Sequence, residues 1–173
     1  GWVSILDSSA GTEIRRFEFP GRRAGAGSVD FTPGRGRVLA EDAGGLQVWS
    51  LDGGPGIFLR HGDWPRYAVD ASGALAVTWD STRVKLWDVT TAEELFEYQF
   101  PDRYFTEFAL VGPDAVLAGQ SRDGMRRLRW RAPDLVREAC GRIGRDFTEA
   151  EWVVYFDGEP PGTTCAERPV PDG

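Results

Sequence analysis

Short runs that alternate apolar and polar residues recur along this chain, each bounded by Gly, Pro, Asp or Ser. Residues 2–7 and 12–19 form a first pair, with the turn Ser8-Ser9-Ala10-Gly11 between them. Ser28–Phe31, Arg37–Ala40, Leu46–Trp49 and Ile57–Leu59 form a second group, and Tyr67–Asp70, Leu75–Trp79, Val84–Val89 and Leu95–Phe100 a third. Phe105–Val111, Ala115–Gly119 and Met125–Trp130 form a fourth. A period of two over short runs, broken by turn residues, predicts β-strands. After Trp130 the pattern changes. Asp134 reads as the N-cap of a helix over 135–143 that Gly144 ends, and Thr148 with Glu151 forms a capping box that opens a second helix. Trp152, Tyr155 and Phe156 then fall on or near one face.

The groups share one signature. Asp42 to Trp49 (DAGGLQVW), Asp80 to Trp87 (DSTRVKLW) and Asp123 to Trp130 (DGMRRLRW) each place an Asp in a polar turn seven residues before a Trp that closes a strand. Leu6 stands at the Trp position of a degenerate first copy, so the marked positions 6, 49, 87 and 130 are 43, 38 and 43 residues apart. A period of about 40 residues with four short strands per unit predicts blades of a β-propeller. The expected organisation is all-β, about three and a half four-stranded antiparallel blades with a short helical extension. Residues 1–27 form a partial blade, 28–62 and 63–100 complete ones, 101–133 an incomplete one, and 134–173 a helical cap and tail packed on the last blade. Closed propellers have about four to eight blades, and open sheet edges are sticky. The chain is therefore expected to be the C-terminal part of a larger propeller, completed by the same parent chain, a second fragment or another copy.

Composition narrows the function classes. A net charge of −7 disfavours a general nucleic-acid partner, which wants a basic face. No apolar run approaches the roughly 20 residues of a membrane-spanning helix, so no membrane partner is expected. No Walker-type phosphate loop, no Gly-x-Ser-x-Gly elbow and no His-Glu-x-x-His motif occurs. One His and two Cys do not make a usual zinc site. No catalytic residue, metal or cofactor is expected.

The Asp and Trp positions, with Leu59-Arg60-His61-Gly62-Asp63-Trp64, resemble the WD-repeat family. The family's usual unit implies a buried relay in which an Asp holds a His ring, the His meets a Thr hydroxyl and the Thr meets an indole N–H. His61, Thr78, Asp80 and Trp87 match it in the second complete blade. Arg60 stands where a Gly is usual, and the other blades have no His, so the relay is expected once at most; Asp42, Trp49, Asp123 and Trp130 keep only the repeat's Asp and Trp. The segment from Asp134 through Cys140, Phe147 to Trp152, Gly158 to Pro160 and Cys165 is similar to the tail after the last blade of large bacterial WD-repeat proteins. Many of those are STAND-type NTPases, which implies a sensor role downstream of a nucleotide switch and a cytoplasmic setting.

Further residues have two readings each. His61 beside Asp63 or Asp80 suits a catalytic base, but the relay explains it without further assumption. Cys140 and Cys165 bracket one small helical unit and are read as a disulfide, which would argue for an oxidising compartment; reduced, they would be small buried hydrophobes. A thiol nucleophile would lack a nearby His. Arg126, Arg127, Arg129 and Arg131 suit a phosphate contact or a solvated face paired with Glu149, Glu151 and Asp157. Trp64, Arg66, Arg103 and Tyr104 stand at or near the starts of inner strands, where propellers present binding anchors; loop packing is the plainer reading.

The expected function is thus a protein-interaction scaffold or ligand-sensing module. Constitutive scaffolding without switching is the alternative. An enzymatic propeller, hydrolase or quinoprotein, would need carboxylates such as Asp30, Asp70 and Glu107 to converge.

Overall fold

The strands form where β-branched and aromatic residues alternate with polar ones, and each ends where Gly, Asp or Ser turns the chain back. The computed structural model describes residues 1–19, 27–32, 34, 36–62, 65–100, 105–111, 115–120, 124–143, 145–155 and 165, without the side chains of 115–120, 143 and 155. The strands are β1 (Trp2–Leu6), β2 (Glu13–Glu18), β3 (Val29–Thr32), β4 (Arg37–Asp42), β5 (Gly45–Ser50), β6 (Ile57–Arg60), β7 (Arg66–Val69), β8 (Leu75–Trp79), β9 (Arg83–Asp88), β10 (Glu93–Gln99), β11 (Phe105–Val111), β12 (Ala115–Gln120) and β13 (Gly124–Arg129). They pair as antiparallel meanders in four sheets, β1-β2, β3-β4-β5-β6, β7-β8-β9-β10 and β11-β12-β13. The chain divides into two compact units, Gly1–Leu128 and Arg129–Gly173.

In the first unit, the core lies between successive sheets. On β4, Val38 and Ala40 join Phe17, Trp49, Val3 and Ile5 on one side. Leu39, between them, points the other way and joins Leu46, Val48, Leu59, Ala76, Trp87 and Val89. Alternation therefore feeds two cores from one strand, which is why β4 and β5 read as nearly continuous apolar runs. Each fully buried Leu or Val contributes about 1.5–3 kcal/mol relative to exposure. The next junction is aromatic: Phe100 lies 4.2 Å from Phe105 and 5.5 Å from Phe108, and Trp79 lies 5.4 Å from Phe108, ring centre to ring centre.

Glycine is required where chains approach closely. A Cβ on Gly45 would fall against the carbonyl oxygen of Leu59, and one on Gly56 would sit 2.7 Å from Nε1 of Trp49.

In the second unit, α1 runs from Ala132 to Ile143 and α2 from Glu149 to Tyr155. Helix α1 begins earlier than the sequence predicts. Asp134 is not its N-cap: the Arg131 carbonyl already accepts from the N–H groups of Asp134 and Leu135 at 3.0 Å. Pro133, with its preset φ and no N–H, suits the first turn, and Asp134 binds Arg137 at 3.0 Å instead. The expected stop at Gly144 lies outside the described residues. The capping box forms, with Thr148 N–H donating to Glu151 at 2.9 Å and Glu151 N–H to Thr148 Oγ1 at 3.3 Å. Hydrogen bonding by Arg145, with further bonds from Thr148, holds the Glu151 carboxyl down at about 2. Trp152 is buried and meets Phe147 edge-on at 6.3 Å. Cys140 and Cys165 form a disulfide.

Candidate functional site

His61 follows β6 in a turn held by its own N–H donating to the Gly44 carbonyl at 3.0 Å. Thr78 lies on β8 and is fully buried, Asp80 stands in the turn after β8, and Trp87 lies on β9. The fold brings all four side chains together. The Trp87 indole N–H donates to Thr78 Oγ1 at 2.8 Å, and Thr78 Oγ1 lies 2.8 Å from His61 Nδ1. His61 Nε2 lies 3.3 Å from Asp80 Oδ2, close but off the hydrogen-bond axis. Indole only donates and carboxylate only accepts. Thr78 therefore gives its proton to Nδ1, and the imidazole proton sits on Nε2, towards Asp80.

Burial pushes the His61 pKa down, outweighing the pull of Asp80 the other way. The ring is neutral near pH 7 and only 3% exposed. Burial pushes the Asp80 carboxyl up, but donors overcome it and hold it below the usual range. These are the Thr82 hydroxyl at 2.7 Å, the Thr82 N–H at 2.6 Å and the Arg83 N–H at 2.9 Å. A charged row continues outward, with Arg83 3.5 Å from Asp80 and Lys85 2.7 Å from Glu94. In the preceding blade, Asp42 caps its own turn through Ala43 N–H at 2.6 Å. Ala40, two residues before Asp42 as Thr78 is before Asp80, offers Trp49 no hydroxyl. Trp130 is half-buried with the Arg131 guanidinium 5.3 Å over its ring; Asp123 and Asp63 lie outside the described residues.

Asp80 also belongs to a groove of about 590 Å³ lined by Arg66, Trp79, Asp80, Ser81, Phe105, Thr106 and Glu107. Arg66 opens β7 and crosses to the next sheet, donating to the Thr106 carbonyl at 3.3 Å and pairing with Glu107. Among the described residues the buried Trp79 indole N–H has no hydrogen-bond partner. Of the anchors expected from sequence, only Arg66 is placed here; Trp64, Arg103 and Tyr104 lie outside the described residues.

The inner-strand carboxylates are each engaged. Asp30 accepts from the Tyr67 hydroxyl at 2.9 Å, which with burial as the main cause pushes that phenol's pKa up. Asp70 takes the Leu75 N–H at 2.8 Å in its turn, and Glu107 pairs with Arg66. In the basic run, Arg129 reaches Glu138 at 4.0 Å, whereas Glu151 is taken by Arg145 at 2.7 Å. Among the described residues no cluster of three or more His, Cys, Asp or Glu side chains is placed to hold a metal.

No family model and no curated protein matches the sequence. Solved structures do. The chain superposes on the computationally designed Ika4 protein with a TM-score of 0.58 at 17% identity, over 76% of this chain and 81% of that one. It superposes on a chain of the Mitotic Checkpoint Complex with a TM-score of 0.57 at 14% identity, over 75% and 41%. For Kluyveromyces lactis Hsv2 the TM-score is 0.59 at 14% identity, over 75% and 44%. The last two are WD-repeat β-propellers, and this chain spans less than half the length of each. The likeness establishes the fold, an all-β propeller of WD-repeat type with a short helical extension.

Proposed function

We propose that this chain is a protein-interaction module whose binding face includes the groove between β7–β8 and β11. The observation that carries this is the groove itself, with exposed Arg66 and with Trp79 and Phe105 in its lining. An aromatic and Arg set in a concavity is the usual composition of an interaction hot spot. In sequence, Trp64 is two residues from Arg66, and Arg103 and Tyr104 precede Phe105. The relay supports a binding role over catalysis, because His61 is buried, its Nδ1 is bonded to Thr78 and its Nε2 faces Asp80. Quantitative co-purification with Arg66→Glu and with Arg137→Glu, a substitution outside the groove lining, tests the reading. Partners lost only with Arg66→Glu are expected; an unchanged partner set overturns it.

We also propose that the module is the C-terminal sensor of a larger bacterial STAND-type NTPase. The tail segment around Cys140, Trp152 and Cys165 supports this, and the exposed Trp2, Leu6 and Ile14 on β1 and β2 support cover by further blades. Those blades would come from the parent chain, a second fragment or another copy, and light scattering with mass spectrometry distinguishes them. Hydrolysis by the whole parent is expected to change when the partner recovered through the groove is added. No change at saturation leaves a constitutive scaffold. The sensor role places the module in the cytoplasm; the Cys140–Cys165 bond is the feature that argues for an oxidising compartment instead.

A further inference from the structure

The groove between β7–β8 and β11 has spent its acceptors and kept its donors. Asp80 Oδ1 accepts from the Thr82 hydroxyl and from the N–H groups of Thr82 and Arg83. Asp80 Oδ2 faces His61 Nε2 and Arg83 Nε. Glu107 takes Arg66. An arginine has five N–H donors and no acceptor. Arg66 uses only Nη1, which donates to the Thr106 carbonyl at 3.3 Å and to Glu107. Its Nε–H and Nη2–H groups make no hydrogen bond among the described residues, and neither does the Ser81 hydroxyl in the same lining.

The unused Nε–H and one Nη2–H lie parallel along one edge of the planar guanidinium, the geometry that takes both oxygens of a carboxylate. Elsewhere this chain fills that edge itself. Arg16 sets Nε 3.1 Å from Glu13 Oε1 and Nη2 2.8 Å from Glu13 Oε2. Arg66 is anchored to β11 through Nη1, with its side chain 61% exposed. A guanidinium already held in place loses less rotamer freedom when it takes an anion. Beside it the lining is aromatic, with Trp79 and Phe105.

We propose that the groove takes a carboxylate of the partner protein, held side-on by Arg66 Nε and Nη2, with an adjoining apolar side chain set against Phe105 and Trp79. This rests on the groove being the binding face. The carboxylate comes from an Asp or Glu side chain or from a chain end, since both offer the same two oxygens. Asp80 and Glu107 flank the site, so a singly charged anion is favoured over a phosphate dianion, which meets more repulsion from the same two carboxylates.

The test uses the full chain and four labelled peptides, read by fluorescence anisotropy. Gly-Ser-Gly-Phe carries a free carboxyl end or an amide, and Gly-Phe-Asp-Gly amide is set against its Asn counterpart. At least one acid probe is expected to bind at least about tenfold tighter than its neutral counterpart. Which one does so separates a chain end from a side chain. Arg66→Lys keeps the charge but has no fork, and is expected to lose most of that preference. Arg137→Glu, outside the groove lining, is expected to keep it. The arginine Nε–H resonance that disappears in Arg66→Lys is expected to shift with the acid probe and not with the neutral one. Equal binding of acid and neutral probes, a preference that survives Arg66→Lys, or no binding of either acid probe at millimolar concentration overturns the proposal. A phosphoserine probe that binds tighter than the Asp probe also overturns it. Failure of the groove reading shows instead as a partner set unchanged by Arg66→Glu, so the two failures are distinguishable.

Discussion

Replacing Thr78 with Val removes one hydroxyl at nearly constant shape and orphans two buried groups. The Trp87 indole N–H loses its acceptor at 2.8 Å, and His61 Nδ1 loses its donor at 2.8 Å. Thr78 is fully buried, so water does not replace the hydroxyl without rearrangement. An unsatisfied buried polar group costs about 1–3 kcal/mol. Two of them, partly relaxed, put Thr78→Val at about 2–4 kcal/mol, a large share of the roughly 5–15 kcal/mol that holds a domain together. Urea unfolding followed by tryptophan fluorescence and circular dichroism measures the loss, and coincidence of the two probes checks two-state behaviour. Thr78→Ser keeps the hydroxyl and is expected to lose only about 1 kcal/mol of methyl burial. A double-mutant cycle with Trp87→Phe, which has no N–H to orphan, isolates the shared bond. In the Trp87→Phe background, Thr78→Val is expected to cost less than in wild type by about 0.5–3 kcal/mol. Costs that add within about 0.5 kcal/mol would refute the relay as an energetic unit.

Three further outcomes follow from the same structure. Because burial lowers the His61 pKa, the unfolded chain takes a proton near the usual value of about 6.5 before the folded one does. Stability is thus complete above that pH and falls as pH drops below it, by up to about 1.4 kcal/mol per pH unit, and His61→Gln is expected to flatten the slope in urea titrations across that range. Gly45→Ala, whose Cβ meets the Leu59 carbonyl, is expected to cost more than about 3 kcal/mol or to abolish soluble protein. Gly44→Ala, with its nearest contact at 3.5 Å on Phe58, is expected to stay within about 1 kcal/mol; equal midpoints for the pair would contradict the close approach of β5 to β6. Reducing the Cys140–Cys165 bond, which closes a loop of 25 residues, is expected to cost the second unit about 3 kcal/mol, read as lost amide protection over α1 and α2 with β3 to β10 unchanged.

The four strand groups were legible because their signals are local: alternation, turn residues and an Asp seven residues before a Trp. His61, Thr78, Asp80 and Trp87 were read as a set through the resemblance to the WD-repeat unit, and the register of β8 and β9 brings Thr78 within reach of the indole. What lies between repeats was not legible. The Tyr67–Asp30 bond joins residues 37 apart, and Arg66 reaches Glu107 across 41. Such contacts depend on how one sheet settles on the next, and no periodicity within a strand encodes that. The need for Gly at 45 was hidden likewise, since a glycine beside a turn looks like turn chemistry until the neighbouring strand is in place. The helix start was misread because Asp134 is a strong N-cap residue, yet Pro133 suits the turn before it.

Strands whose two faces belong to different cores have a consequence for synthesis. When β3 to β6 leave the ribosome, Val38, Ala40 and Trp49 already have Phe17 to rest on, but Leu39, Leu46, Val48 and Leu59 wait for Ala76, Trp87 and Val89. Those arrive one repeat later. At roughly 5–20 residues per second, a repeat of about 40 residues takes about two to eight seconds. For that interval the β3–β6 sheet presents a bare apolar face to water or to a chaperone. The order in which residues 60–90 emerge is therefore as much a part of how this sequence reaches its fold as the packing that later conceals that face.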